Sequence, residues 1–430
     1  MFNLKEKTTR MKKVHILSLI LIIILLTASA TLLVSYTQSS NQPQRPVYVG
    51  VAFGGNTTAQ AKLLIDRTKS YTNLFILDSG INPISKNQSA VEEICDYAVN
   101  ASLSIILNLG TYNRNDWAWR IQFLNSSQEK YGDKFLGAYY DDEPGGIPLD
   151  WNWTKQFTEN STLFGGANPL DLTHIHYELQ MAELTGKQPQ NYTLEAQWFN
   201  QLLERNRGHN DLKRSNITTF TSDYALFWFD YLGGYKTLFA QLGWNQSDNL
   251  QIAYRNVNQQ TALALLRGAA TMQNKDWGTI ITWKYTQPPY LDTADNVYNQ
   301  MTTSFNAGAK YITIFDYPYN STDNPYGVLT DDHFQVLEKF WNQVVTKSTP
   351  NLAHAEAALI LPKDYGWGMR NVNDKIWGFW GPDDKSPLIW NISQTLLNKY
   401  GARLDIIYDD AAFPIQGNYS KVYFWNQTIT

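Results

Sequence analysis

The sequence predicts an α/β protein built on a (β/α)8 (TIM) barrel, and three observations carry that prediction. Short apolar runs without polar alternation recur along residues 47–350, as strands covered by helices on both faces require. Helical stretches separate them, so that eight strand–helix pairs fill about 300 residues, against about 250 for a barrel before insertions. No glycine-rich phosphate fingerprint accompanies the pairs, which makes a doubly wound open sheet the runner-up. An N-terminal transmembrane helix and a small C-terminal α/β module complete the expected architecture.

Residues 1–13 carry Lys5, Lys7, Arg10, Lys12 and Lys13 against Glu6 alone, a basic segment expected on the cytoplasmic side. Residues 14–34 (VHILSLILIIILLTASATLLV) contain no Asp, Glu, Lys or Arg. As a helix they would span about 32 Å, matching a hydrocarbon core of about 30 Å. The segment reads as an uncleaved membrane anchor, and Ala28-Ser29-Ala30 keeps a cleaved signal peptide as the alternative. Both readings put the body outside the cytoplasm, either membrane-anchored or secreted. The polar linker 35–46 would hold it off the membrane.

Sequon usage points the same way. Asn-x-Ser/Thr begins at 13 positions, whereas the Asn, Ser and Thr content would give about 5 by chance. A glycoprotein is therefore expected, since these acceptors are used outside the cytoplasm. The net charge is −4, and with the basic amino terminus set apart the body is more acidic still, which argues against a nucleic-acid partner. Cys95 is the single cysteine, so stability must come from the core. No cysteine or histidine cluster suggests a metal, and no cofactor is expected. The chain holds 15 Trp and 26 Tyr, which suits a surface that stacks on sugars.

The strands are expected at 47–55, 73–80, 103–110, 135–143, 217–224, 251–256, 278–285 and 311–317, with helices between them, including one over 226–241. Residues 147–216 are an insertion after strand four, far longer than an ordinary βα connection. It begins beside a cluster of acids and is expected to form one wall of a cleft. His174 and His176 in it have the wrong spacing for a helical metal pair. From 354 to 430 the order becomes β–α–β–β, which resembles part of a flavodoxin-like module. An open parallel sheet of that kind calls for more strands, so a truncated gene product is one expectation.

Strand four, FLGAYYDDEPGG, organises the rest. Acids bunched where a buried strand stops are costly to bury and useless for packing, so chemistry at a barrel mouth is their expected role, with loop capping as the plain alternative. Reading the other strand ends gives Asp78, Asn108, Asp223, Arg255, Asn256, Trp283, Lys284, Tyr285 and Asp316. Carboxylates, amides and aromatics suit glycoside cleavage, which needs one protonated carboxyl, a second carboxylate and flat faces for sugar rings. The expected catalytic set is Glu143, Asp141, Asp142, Asp316 and Asp78. Tyr140, Asn108, Asp223, Arg255, Asn256, Trp283 and Tyr285 are the expected substrate contacts.

Tyr139-Tyr140-Asp141-Asp142-Glu143-Pro144 is similar to the strand-four ending Tyr-x-x-Asp-Glu-Pro of glycoside hydrolase barrels of the β-galactosidase superfamily. That resemblance implies Glu143 as acid/base. It also implies a nucleophilic Glu at the end of strand seven, where this chain has Trp283-Lys284-Tyr285, and an Asn where it has Asp142. Asp141 and Glu143 also resemble the Asp-x-Glu pair of chitinase-like enzymes, whose substrate's acetamido group serves as nucleophile. The longer acidic repeat of those enzymes is absent, because position 139 is tyrosine. The expected function is thus an extracytoplasmic glycoside hydrolase acting on a carbohydrate. A non-catalytic glycan-binding or cell-envelope protein on the same scaffold is the alternative. The second carboxylate, the linkage and the oligomeric state stay open.

Overall fold

The computed structural model describes residues 46–80, 82–110, 116–150, 190–243, 252–285, 288–317, 324–347, 355–415 and 417–428. The basic segment, the 14–34 span, most of the linker, and His174 and His176 lie outside the described residues. Among the described residues no helix is long and apolar enough to cross a membrane.

Eight parallel strands close into a barrel in sequential order. They are β1 (Tyr48–Phe53), β2 (Leu74–Asp78), β3 (Ser104–Asn108), β4 (Phe135–Tyr139), β5 (Thr219–Asp223), β6 (Thr237–Leu242), β7 (Asp276–Ile281) and β8 (Tyr311–Asp316). Closure runs through β1 and β8, with Tyr48 opposite Tyr311 and Phe53 opposite Asp316. The principal helices between strands are α1 (Thr58–Thr68), α2 (Gln88–Asn100), α3 (Trp117–Tyr131), α4 (Gly146–Asp150), α5 (Tyr192–Arg205), α6 (Arg207–Arg214), α7 (Phe227–Leu232), α8 (Ile252–Met272), α9 (Ala294–Asn306) and α10 (Asp331–Phe340). Polar side chains start several of them: Thr57 accepts from the Gln60 amide and Asn191 from the Leu194 amide.

Side-chain alternation sorts each strand into two cores. Ala52, Leu74, Ile76, Ile106, Tyr139, Phe220, Phe239, Ile280 and Tyr311 fill the barrel interior. Their neighbours, such as Val51, Phe75, Leu107, Leu238 and Ile312, pack against the helices. Strand β4 interrupts the alternation. Its pairing with β3 slips, so that Ile105 faces Phe135 while Ile106 faces Gly137. Gly137 sits at φ 146°, a conformation that side-chain-bearing residues rarely adopt. The bulge turns both Leu136 and Tyr139 inward.

One expected strand is corrected. The sixth strand is Thr237–Leu242, not 251–256, and the expected helix over 226–241 stops at Leu232. Gly233-Gly234 ends that helix after under two turns, with Gly234 at φ 114°, and frees the apolar run behind it to enter the sheet. Arg255 and Asn256 accordingly belong to helix α8, which runs unbroken through Ile252–Met272. They are not at a strand end.

The C-terminal module holds β9 (Ala357–Leu361), α11 (Lys385–Tyr400), β10 (Leu404–Tyr408) and β11 (Lys421–Phe424). Its three parallel strands lie in the order β10-β9-β11, the order in which flavodoxin-like sheets begin. The module seats on α8. A β-carbon at Gly268 would stand 2.6 Å from the Ile406 carbonyl oxygen, so glycine permits that approach. Beside it Arg267 Nε donates to Asp405 Oδ1 at 2.7 Å and Arg267 Nη2 to the Leu404 carbonyl at 2.9 Å.

Candidate active site at the barrel mouth

At the carboxyl ends of the strands the acids of the β4 loop meet inward-facing residues of β2, β3, β5 and β6. Alternation continues the interior rows of Ile76, Ile106, Phe220 and Phe239 to Asp78, Asn108, Ser222 and Gln241. Asn108 Nδ2 donates to Asp78 Oδ1 at 2.6 Å. Gln241 Nε2 donates to Glu143 Oε1 at 2.8 Å and to Ser222 Oγ at 2.9 Å. Ser222 Oγ donates in turn to Asp142 Oδ1 at 3.1 Å, and the Tyr139 hydroxyl donates to the same oxygen at 2.6 Å. Glu143 and Asp142 are thereby tied into one network across two strands.

The loop holds these acids in an unusual backbone. Asp141 has φ 61° and Glu143 φ 51°, the left-handed region that costs a side-chain-bearing residue about 1–2 kcal/mol. Two anchors offset that cost. The Glu143 amide donates to the Ser222 carbonyl at 3.0 Å, and the Asp141 carbonyl accepts from Thr221 Oγ1 at 3.0 Å. A third anchor lies behind the loop, where Asp223 accepts the amides of Gly145 and Gly146 at 2.6 and 2.9 Å and those of Tyr224 and Ala225 at 2.7 and 3.2 Å. A β-carbon at Gly146 would collide with the Tyr224 ring at 2.3 Å.

Burial and charge set the protonation of the cluster. Burial, then the neighbouring Asp142 and Asp223, pushes Glu143 up to about 8, while the Gln241 hydrogen bond opposes the shift. Burial, then Asp142, lifts Asp78 to about 7, and burial lifts Asp141 to about 7. Deeper in, Asp230 is fully buried beside Asp223, and neither of its carboxyl oxygens has a donor. Burial and the Asp223 charge raise Asp230 well above the usual carboxylate range, so the buried pair resists carrying two charges.

The mouth does not collect every residue expected there. Glu143, Asp142, Asp78 and Asn108 gather in it. Asp223 follows inward-facing Ser222 and Asp316 follows inward-facing Phe315, so both turn toward the helix layer. Asp316 is 1% exposed and accepts the Val328 amide at 3.2 Å. Tyr140 is also turned outward: it packs edge-on against Trp117, and its hydroxyl donates to Asn206 Oδ1 at 2.6 Å. Arg255 and Asn256 lie on helix α8 as described. After β7, Lys284 is buried in an ion pair with Asp292 at 2.6 Å, and Thr282 takes the inward row of Ile280. Trp283 is half-buried among Tyr290, Phe315 and Tyr317, with ring centroids 5.6–6.1 Å away, and Tyr285 follows it, also half-buried. Gln241 and Ser222 were not among the expected residues, and the period-two row from Phe220 and Phe239 is the signal that finds them.

Two solved structures share this architecture. A GH5_18 protein from Bifidobacterium longum subsp. longum superposes with a TM-score of 0.51 and 9% identity, over 89% of this chain and 97% of its own. A β-galactosidase from the Antarctic haloarchaeon Halorubrum lacusprofundi gives 0.53 and 11% identity, over 88% of this chain and 68% of its own. In fold, this chain resembles the glycoside hydrolase barrels. The similarity extends past the barrel into the C-terminal module, as the coverage requires. No family model matches the chain, and no curated protein matches it by sequence.

The C-terminal module also reaches the mouth. Arg370, in the long connection after β9, donates from Nη1 to Asp150 Oδ1 at 2.7 Å and pairs with Asp374 at 2.7 Å. Asp150 accepts the Tyr224 hydroxyl at 2.7 Å, and its charge adds to the upward pressure on Glu143. The arrangement can hold a carboxyl protonated near neutral pH and keep others close by, with Asp150 of α4 tied to Arg370 of the module beside them.

Proposed function

We propose that the chain is a glycoside hydrolase in which Glu143 is the general acid/base. The observation that carries the reading is Glu143 itself. It stands on a left-handed turn at the end of β4, held by Gln241 and kept protonated to about 8. In this reading Glu143 gives its proton to the glycosidic oxygen as the bond to the anomeric carbon breaks. Asp142 and Asp78, which share the mouth with it, are the candidates for the second carboxylate, as nucleophile or as base for a water. Asp316 and Asp223 are spent on backbone amides and drop from that role. Trp283, flanked by Phe315 and Tyr317, offers an apolar face for a sugar ring.

The 14–34 segment supports a membrane-anchored protein with its body outside the cytoplasm, acting on carbohydrate there. The buried Lys284–Asp292 pair, where the resemblance implies a nucleophilic Glu, favours a second reading as a non-catalytic glycan-binding protein. Assaying the chain on a panel of aryl and oligosaccharide glycosides beside Glu143→Gln separates the two. Turnover lost in Glu143→Gln by a factor of about 10² or more supports the acid role. Equal turnover in both proteins removes Glu143 from it, and binding without turnover supports the second reading.

A further inference from the structure

The sequence holds far more sequons than its composition gives, and the fold now shows where they fall. Nine of the 13 sequon asparagines lie among residues whose exposure is described, and all nine are exposed. Asn56, Asn87, Asn100, Asn125, Asn191 and Asn216 lie on the barrel, and Asn391, Asn418 and Asn426 on the module. The asparagines outside sequons behave differently. Of the 15 with described exposure, 7 are exposed, and the others, such as Asn82, Asn108 and Asn206, are half-buried or buried. A random nine of these 24 asparagines would contain about six exposed ones. A composition rich in Asn and Thr explains many sequons, but it does not explain why the sequons avoid the interior.

At two helix caps local geometry leaves the acceptor nitrogen open, whereas Asn418 Nδ2 makes a long contact to Met272 Sδ at 3.8 Å. Asn87 and Asn191 each cap a helix, and both use the side-chain oxygen: Asn87 Oδ1 accepts the Ala90 amide at 3.2 Å and Asn191 Oδ1 the Leu194 amide at 2.9 Å. A sugar on Nδ2 keeps that oxygen as an acceptor, so the cap survives modification. Asn125 and Asn391 stand mid-helix on α3 and α11, on the faces opposite the buried Leu124 and Ile392 rows. A bulky polar group there meets water rather than core.

We infer that these nine asparagines are N-glycosylation sites and that the body of the protein carries a glycan coat over both the barrel and the module. The inference rests on the export reading and is independent of the hydrolase reading. Two measurements on the full chain purified from cells that make it test it. Glycopeptide mass spectrometry is expected to find hexose-bearing or other sugar-bearing forms at most of the nine. Asn125→Gln is expected to lower the intact mass by one glycan while leaving the folded protein unchanged. Protease accessibility of the body on intact cells locates it. Unmodified peptides at all nine sites with the body accessible outside overturn the modification while export stands. Unmodified peptides with the body protected inside overturn both.

Discussion

Removing the charge of Asp142 tests how Glu143 is tuned. Asp142 is exposed, yet it connects to Glu143 through two bridging side chains, Ser222 and Gln241. Two unit charges roughly 7 Å apart repel by about 2 kcal/mol at an effective dielectric of about 20. Screening at physiological salt, with a Debye length of about 8 Å, brings that to about 1 kcal/mol, a little under one pKa unit. Asp142→Asn should therefore lower Glu143 from about 8 toward 7. The direct assay is a carboxyl-detected NMR titration with Glu143→Gln as the assignment control. It needs no substrate. If the chain turns over a glycoside with Asp78 as the second carboxylate, the alkaline limb of kcat/KM should move down by the same amount, because the acid must be protonated to act. The shift should shrink in molar salt, which a change of burial would not do. An unmoved Glu143 titration in Asp142→Asn would refute the part assigned to Asp142 and leave burial, with Asp223 and Asp150, as the cause.

Three further outcomes follow from the same geometry. Asp223→Asn removes acceptor capacity from the amides of Gly145, Gly146, Tyr224 and Ala225, at about 1–3 kcal/mol per buried group left unmet. Urea unfolding should show a loss of several kcal/mol, and an unchanged midpoint would mean that Asp223 does not hold the loop. Arg267→Ala leaves Asp405 buried without its cation, a loss of about 3–5 kcal/mol, whereas joint replacement by Met and Leu should restore most of it; a cycle of denaturation midpoints reads both. For pH, Asp78, Asp141 and Asp316 titrate near 7 and Glu143 near 8 in the fold, against about 4 unfolded. For these four groups the folded state thus binds more protons between about pH 4 and 8, so their contribution to stability is complete below that window and is lost as pH rises through it. Urea midpoints at pH 5 and pH 8.5 should show the drop, and Asp78→Asn should lessen it.

The barrel was legible because its strands are apolar on both faces and bounded by turn residues, signals that survive without tertiary information. The sixth strand was not. Its run Thr237–Leu242 follows an apolar helix, and only Gly233-Gly234 marks the break. Missing that strand also hid Gln241, the residue that grips Glu143. At the site, proximity to a strand end proved a weaker guide than parity. Asp78 and Asn108 stand two residues beyond interior Ile76 and Ile106 and face the mouth, whereas Asp223 and Asp316 stand one residue off the interior row and become anchors. Strand β4 escapes the rule because Gly137 shifts its phase, and no count along Phe135–Tyr139 reveals a bulge unless glycine is read as one. That shift has a chemical consequence. It aims the Tyr139 hydroxyl inward onto Asp142 and turns Tyr140 out against Trp117. The acids of β4 therefore work against a polar wall supplied by β5 and β6, with the end of β7 closed off by its own Lys284–Asp292 pair. Among the described residues, the carboxyl groups open to the proposed hydrolysis stand on the β2–β4 side of the mouth.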